Sequence, residues 1–242
     1  MPVLFVSSTT SSTPEAQVQP GLLASDGAVR RWLGFALDLV FPPRCAGCGR
    51  VDVRWCARCQ RRLEAVPLAA LVTPHPPLAA AAATGPHEGL LQHAVWALKF
   101  DNGRHLAGPL GDRLAARLRT LDWPADAVIV PVPLHPSRLA ERGYNQSQLL
   151  AEQLAASTGR LCMPHALRRL RQTRSQVGLD HDQRQANMAG AFVAEREQIS
   201  GHDVLLLDDV YTTGSTMAAC AEAALAAGAR AVYGLTVTAA GG

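Results

Sequence analysis

The segment Val204-Leu205-Leu206-Leu207-Asp208-Asp209-Val210-Tyr211-Thr212-Thr213-Gly214-Ser215-Thr216 restricts the fold of this chain more than any other part of it. Its aliphatic start is an unbroken apolar run, the pattern of a strand covered on both faces as in a parallel sheet; a strand with one wet face would alternate. Ligands of such sheets bind beyond the carboxyl ends of the strands. The strand ends in two carboxylates, Asp208 and Asp209, and beyond it lies a small hydroxyl-rich loop, Thr212, Thr213, Gly214, Ser215 and Thr216. The loop's backbone N–H groups join the unpaired donors and positive dipole end of the next helix, which makes a phosphate cradle. That helix is marked by Met217, Cys220, Ala221, Ala224 and Leu225 on one face, with Gly228 as its stop, and a strand over Ala231 to Thr238 follows. An isolated Asp-Asp after a strand also begins turns and caps helices. The order of the whole segment is what points to a grip on a ribose 5-phosphate.

That order resembles the phosphoribosyl pyrophosphate (PRPP) motif of type I phosphoribosyltransferases. The resemblance implies that Asp208 and Asp209 contact the ribose hydroxyls, that Mg²⁺ bridges ribose and pyrophosphate, and that Thr212 to Thr216 hold the 5-phosphate. A second buried strand is expected over Ala127 to Val132. It closes in a Pro-bounded loop, Leu134, His135, Pro136, Ser137 and Arg138, with Arg142 close behind. Backbone donors and guanidinium groups in such a loop can face a pyrophosphate. Prolines at 131, 133 and 136 also stiffen a turn by themselves.

Four cysteines form a second signature: Cys45 with Cys48 and Cys56 with Cys59, two C-x-x-C pairs separated by seven residues. Four thiolates at this spacing close a tetrahedron around one Zn²⁺ and leave no position for water, so the expected site is structural. The alternative, a redox pair, opens a helix in a strand-helix context that this segment lacks. Cys162 and Cys220 read as ordinary core residues. Before the knuckles, Val29 to Phe41 has helical periodicity ended by Pro42 and Pro43. Residues 1–28, rich in Ser, Thr and Pro, read as a disordered leader. Arg50, Arg54, Arg58, Arg61 and Arg62 suit contact with nucleic acid or a plain solvated face.

In the middle of the chain, Leu90 to Phe100, Leu106 to Leu118 and Gln146 to Ser157 read as helices. Of the 23 basic residues, Lys99 alone is lysine, which singles it out as a candidate for a role that arginine cannot fill. Between Arg160 and Asn187 periodicity is lost and Arg171, Arg174 and Arg184 accumulate. This is a candidate flap over a departing pyrophosphate, though a solvated loop or a nucleic-acid backbone contact would carry the same charges. A net charge of +3 is too small to imply nucleic-acid binding. No stretch approaches the roughly 18–20 apolar residues of a membrane span, and a cytoplasmic location is expected.

Taken in order, Phe41-Pro42-Pro43-Arg44-Cys45, the paired knuckles, Leu98-Lys99-Phe100, Val130-Pro131-Val132-Pro133-Leu134, Arg142-Gly143-Tyr144-Asn145-Gln146, Arg171-Gln172-Thr173, and Asp208 to Gly214 resemble the ComF family of competence-associated, phosphoribosyltransferase-like proteins. The resemblance implies an α/β type I phosphoribosyltransferase fold, a mainly parallel sheet flanked by helices, behind an N-terminal four-cysteine zinc knuckle. The expected division is a leader over 1–28, a helix and knuckle over 29–65, and the transferase-like domain over 66–242. It also implies a link to natural competence and DNA uptake, with PRPP as ligand and single-stranded DNA and a competence helicase as further partners. The other reading is a non-catalytic adaptor for single-stranded DNA with an idle or regulatory nucleotide site. Several base-transferring relatives carry a carboxylate where Thr212 stands, so the source of any general base is open. An acceptor-selecting hood is expected over Leu63 to His87.

Overall fold

Two long neighbouring strands, each buried on both faces, organise the molecule. The computed structural model describes residues 42–68, 70–100, 103–170 and 190–240. The expected leader over 1–28, the Val29 to Phe41 helix and the flap arginines Arg171, Arg174 and Arg184 lie outside these residues. The strands are β1 (Ala70–Val72), β2 (Ala80–Ala83), β3 (Val128–Pro131), β4 (Leu167–Arg169), β5 (Phe192–Ala194), β6 (Asp203–Tyr211) and β7 (Ala231–Ala239). The helices are α1 (Ala57–Ala65), α2 (Gly89–Phe100), α3 (Ala107–Leu118), α4 (Pro136–Arg142), α5 (Gln146–Thr158), α6 (Arg196–Ile199) and α7 (Ser215–Ala226).

The main sheet has the order β1-β2-β7-β6-β3, with β2, β7, β6 and β3 parallel and β1 antiparallel on the edge. Because successive side chains on a strand point to opposite faces, Leu205, Leu207, Leu235 and Ile129 enter one core, where α2, α3 and α5 bring Leu98, Leu110, Leu114 and Leu150. Val204, Leu206, Val128 and Val232 enter the other, where Cys220 and Ala224 of α7 meet Phe192 and Ile199. Each fully buried Leu or Val contributes roughly 1.5–3 kcal/mol. The result is a mainly parallel sheet flanked by helices.

Three expectations are corrected. The central strand does not end at its carboxylates: β6 runs on to Tyr211, with Asp208 paired opposite Thr236 and Val210 opposite Thr238. The polar residues stay in the ladder because β7 supplies backbone partners on one side while their side chains find polar neighbours at the sheet's end. The Ala/Pro-rich span Leu63 to His87 is not simply a hood, since it supplies β1 and β2 to the sheet. The β2 alanines at 81, 82 and 83 are almost fully buried, Ala82 in the core shared with α3 and Ala81 in the core shared with α7, and Arg117 Nε donates to the Ala83 carbonyl at 3.1 Å. Within the span expected to be aperiodic from Arg160, β4 pairs antiparallel with β5, and Leu170 N–H donates to Ala191 O at 2.9 Å. A strand of three residues is too short to show a period.

One arginine joins the cysteine region to this body. Arg113 of α3 is buried, and its guanidinium donates to the carbonyls of Leu63, Val66, Pro67 and Thr84 and to Thr84 Oγ1, at 2.8–3.1 Å. A rigid planar fork can satisfy several carbonyls at once. It fastens the end of α1 to the end of β2.

Candidate functional site

A cleft of about 700 Å³ opens at the carboxyl ends of β3 and β6. Its size lies in the usual range for small-molecule sites. Of the residues expected at the site, Lys99, Leu134, His135, Arg138, Arg142, Asp208, Asp209, Thr212 and Thr216 line it together. Pro136 and Ser137 are exposed on the first turn of α4, and Thr213, Gly214 and Ser215 shape the loop without lining the cleft.

The two carboxylates differ in surroundings. Asp208 Oδ1 accepts from Ser147 Oγ at 2.7 Å and from the Asp209 backbone N–H at 2.9 Å. Burial, then the neighbouring charge of Asp209, push its pKa up to about 7, against the pull of Ser147 and Lys99. Asp209 is 3% exposed. Its Oδ1 is 2.9 Å from Lys99 Nζ, while its buried Oδ2 has no hydrogen-bond partner. Buried carboxylate oxygens seldom stay unpartnered, because each forfeits its hydration. The one lysine of the chain thus neutralises one carboxylate oxygen and leaves the other buried without a hydrogen bond.

The loop after β6 is built around a glycine that no other residue replaces easily. Gly214 has φ +78°, and a Cβ there would strike the Tyr211 hydroxyl and lie 2.9 Å from His75 Cβ. Tyr211 is buried beneath the loop; its hydroxyl accepts from His75 N–H at 3.0 Å and donates to Thr73 O at 3.1 Å, so the segment after β1 braces the cradle. Gly214 is also the N-cap residue of α7, whose first turn carries Ser215, with its Oγ 2.9 Å from Thr213 Oγ1, and Thr216. Unpaired N–H groups and the helix dipole at this end favour an anion.

Across β6, the segment after β3 turns into α4 with His135 as N-cap, its Nδ1 accepting from Ser137 N–H at 3.2 Å. Arg142 donates to Gln146 Oε1 and lies over the Phe100 ring at 5.3 Å. Asn145 caps α5 and donates to Val132 O at 3.0 Å, which fixes this segment to the end of β3. Arg138 and Arg142 therefore stand one helical turn apart at the same rim.

Sequence reasoning missed His87 and Gln146 in the cleft lining and Ser147 behind Asp208, whereas Arg169, which also lines the cleft, belongs to the arginine-rich span expected as a flap. Asn145 followed two residues later by a serine marks a helix start, but nothing local says that this serine meets a carboxylate. Arg169 arrives from β4, and burial lowers its pKa. His87 arrives after β2, its backbone N–H held by Ala239 O at 2.7 Å.

The thiol cluster is separate. The Sγ atoms of Cys45, Cys48, Cys56 and Cys59 all lie within 4.8 Å of one another, and the Cys48 and Cys56 sulfurs are 3.7 Å apart. Metal–sulfur bonds of about 2.3 Å give tetrahedral edges of about 3.8 Å. The first turn is tight: Gly49, at φ +73°, donates to Cys45 O at 2.7 Å. Cys56 is the N-cap of α1, its sulfur accepting from Cys59 N–H at 3.4 Å. That bond is the main cause that brings the Cys56 thiol down to about 6, whereas burial pushes Cys59 up. The donor set and spacing fit a structural metal such as zinc.

No family model matches the chain. Over 194 residues it is 31% identical to DNA utilization protein YhgH of Salmonella typhi, covering 78% of this chain and 85% of that relative. It is 35% identical over 117 residues to Competence protein F of Haemophilus influenzae, which covers 44% of this chain and 51% of that protein. It is 33% identical over 90 residues to Competence protein ComFC of Bacillus subtilis, covering 37% of this chain and 35% of that one.

Proposed function

The chain belongs to the ComF family of competence and DNA-utilization proteins, and from that premise we propose that it binds PRPP in the cleft beyond β3 and β6 and serves natural competence and DNA uptake. The observation that carries the reading is that Asp208 and Asp209 line one cleft with Thr212 and Thr216 of a helix-starting loop of Thr and Gly. Carboxylates at the wall of a cleft accept from ribose hydroxyls. Asp208 and Asp209 orient the ribose, Thr212 to Thr216 take the 5-phosphate, and Leu134 to Arg138 with Arg142 face the pyrophosphate. Mg²⁺ fits here, since it favours one or two carboxylates together with substrate phosphates, and it would neutralise the leaving group's charge. Charge stabilisation and positioning then supply most of the rate for a phosphoribosyl transfer.

Calorimetric titration with PRPP and Mg²⁺ tests this reading. Asp208→Ala and Asp209→Ala should each abolish binding while the fold and metal content persist. Undiminished binding in both variants would sink the site assignment.

A second reading has its own observation: Arg50, Arg54, Arg58, Arg61 and Arg62 are exposed on the cysteine knuckle and α1. In that reading the protein is an adaptor that holds single-stranded DNA and meets a helicase, and the nucleotide site is regulatory. Several phosphate contacts would make DNA affinity fall steeply with salt. Weak binding that does not respond to salt would dismiss it. Both readings put the protein in the cytoplasm; among the described residues no helix is long and apolar enough to cross a membrane.

A further inference from the structure

The loop that follows the acidic pair offers only hydroxyls, and Asp208, Asp209 and His135 each already make a side-chain contact within the protein. Asp208 is held by Ser147, Asp209 by Lys99, and His135 spends its Nδ1 on capping α4. His87 is different. Its Nδ1 lies 2.8 Å from Thr238 Oγ1, and Thr238 is fully buried. The single hydroxyl proton of Thr238 is directed at the Asp209 carbonyl, 3.4 Å away. When Thr238 Oγ1 accepts from His87, the ring proton sits on Nδ1 and the Nε2 lone pair is left on the opposite ring edge. The ring lines the cleft, and the N–H of His87 is anchored to Ala239.

Topology gives this imidazole a side. The sheet order places β7 and β2 on one flank of β6 and β3 on the other. The segment Leu134 to Arg138 follows β3, whereas His87 follows β2 and is bonded to the end of β7. The carboxylates of β6 stand between them.

We infer that His87 Nε2 is the proton acceptor for the nucleophile, an inference that rests on the phosphoribosyl reading above. The acceptor substrate is accordingly a neutral N–H or O–H group that enters on the β7 flank. Its lone pair forms the new bond to the anomeric carbon; the bond from that carbon to the pyrophosphate oxygen breaks, and its electron pair leaves with pyrophosphate. The proton released by the nucleophile passes to Nε2, and the imidazolium returns it to water. Burial, then the Lys99 ammonium, lower the pKa of His87, while Asp209 opposes them. The free base is therefore the form present at neutral pH.

The test uses the full chain with PRPP, Mg²⁺ and a panel of N–H and O–H nucleophiles that includes water and ammonia. Pyrophosphate release by His87→Gln should fall roughly 100-fold or more, with PRPP affinity by calorimetry within about threefold of wild type. The wild-type rate should drop at low pH through two protonations, of the imidazole and of Asp208, of which His87→Gln keeps only the second, and added imidazole should restore release in His87→Gly. Nitrogen-15 spectra of the wild-type ring should show the Nδ1–H tautomer. An Nε2–H tautomer, an unchanged pH limb in His87→Gln, or no enzyme-dependent pyrophosphate release from bound PRPP would each overturn the inference. Failure of wild type to bind PRPP at all would instead overturn the reading beneath it.

Discussion

Replacing Lys99 by methionine isolates the interaction on which the candidate site is built. Lys99 Nζ and Asp209 Oδ1 are 2.9 Å apart, with side chains 24% and 4% exposed. At an effective dielectric of about 20 their attraction is about 6 kcal/mol, most of it offset by the cost of removing two charges from water. The measurable quantity is the stability lost when one partner is removed. Breaking a buried pair costs about 3–5 kcal/mol, because the remaining charge is stranded. Lys99 keeps a quarter of its surface in water, which moves the expectation for Lys99→Met to about 3 kcal/mol, the low end of that range. For a chain of 242 residues this is a fall in Tm of about 6–12 °C. Thermal unfolding of wild type, Lys99→Met, Asp209→Asn and the double variant completes a cycle, and the double variant should recover most of the loss. A coupling below about 0.5 kcal/mol, the level of an exposed pair, would refute the idea that these groups form one desolvated unit.

Asp208 titrates at about 7 in the fold against an ordinary 3.8, raised first by burial and then by the charge of Asp209. The folded protein keeps a proton that the unfolded chain has released, so the contribution of this carboxyl is fully present below about pH 4 and is lost as pH rises towards about 7. Urea unfolding from pH 4 to 8 should show this slope in wild type and a flatter one in Asp208→Asn; equal slopes would exclude Asp208 as its source. Gly214→Ala forces a Cβ against Tyr211 at a left-handed position and should cost about 1–3 kcal/mol, with PRPP affinity reduced at least tenfold. A variant with native melting and native affinity would contradict the loop geometry. Metal analysis should find one zinc per chain, lost in Cys56→Ser together with a lower Tm; loss of the metal without any change in melting would show that the cluster does not support the fold.

Local patterns were legible where nearby residues decide the structure. The helical stripe that marks α7, the apolar run of Val204 to Leu207 and the spacing of Cys45, Cys48, Cys56 and Cys59 each act within one turn, one strand or one knuckle, and the structure shows all of them. The strand Ala80–Ala83 was not legible. Alanine is the best helix former and a poor strand former, and the partners supplied by β7, between Tyr233 and Thr236, and by β1 on the other side make this run a strand. The same reason hid the length of β6: Val210 and Tyr211 belong to it because Thr238 and Ala239 lie opposite.

By itself, then, the amino-acid sequence determined that a doubly covered strand leads to two carboxylates and a donor-rich loop, and that four thiols come together. Only the tertiary structure decided what each carboxylate meets: Ser147 at Asp208, Lys99 at Asp209, and His87 held by Thr238 on the far flank. Periodicity and turn chemistry are properties of neighbouring residues, so they can be read along the chain. A contact such as His87 to Thr238, 151 positions apart, exists only once the sheet order has brought β2 beside β7, and that order comes from the packing of the whole core.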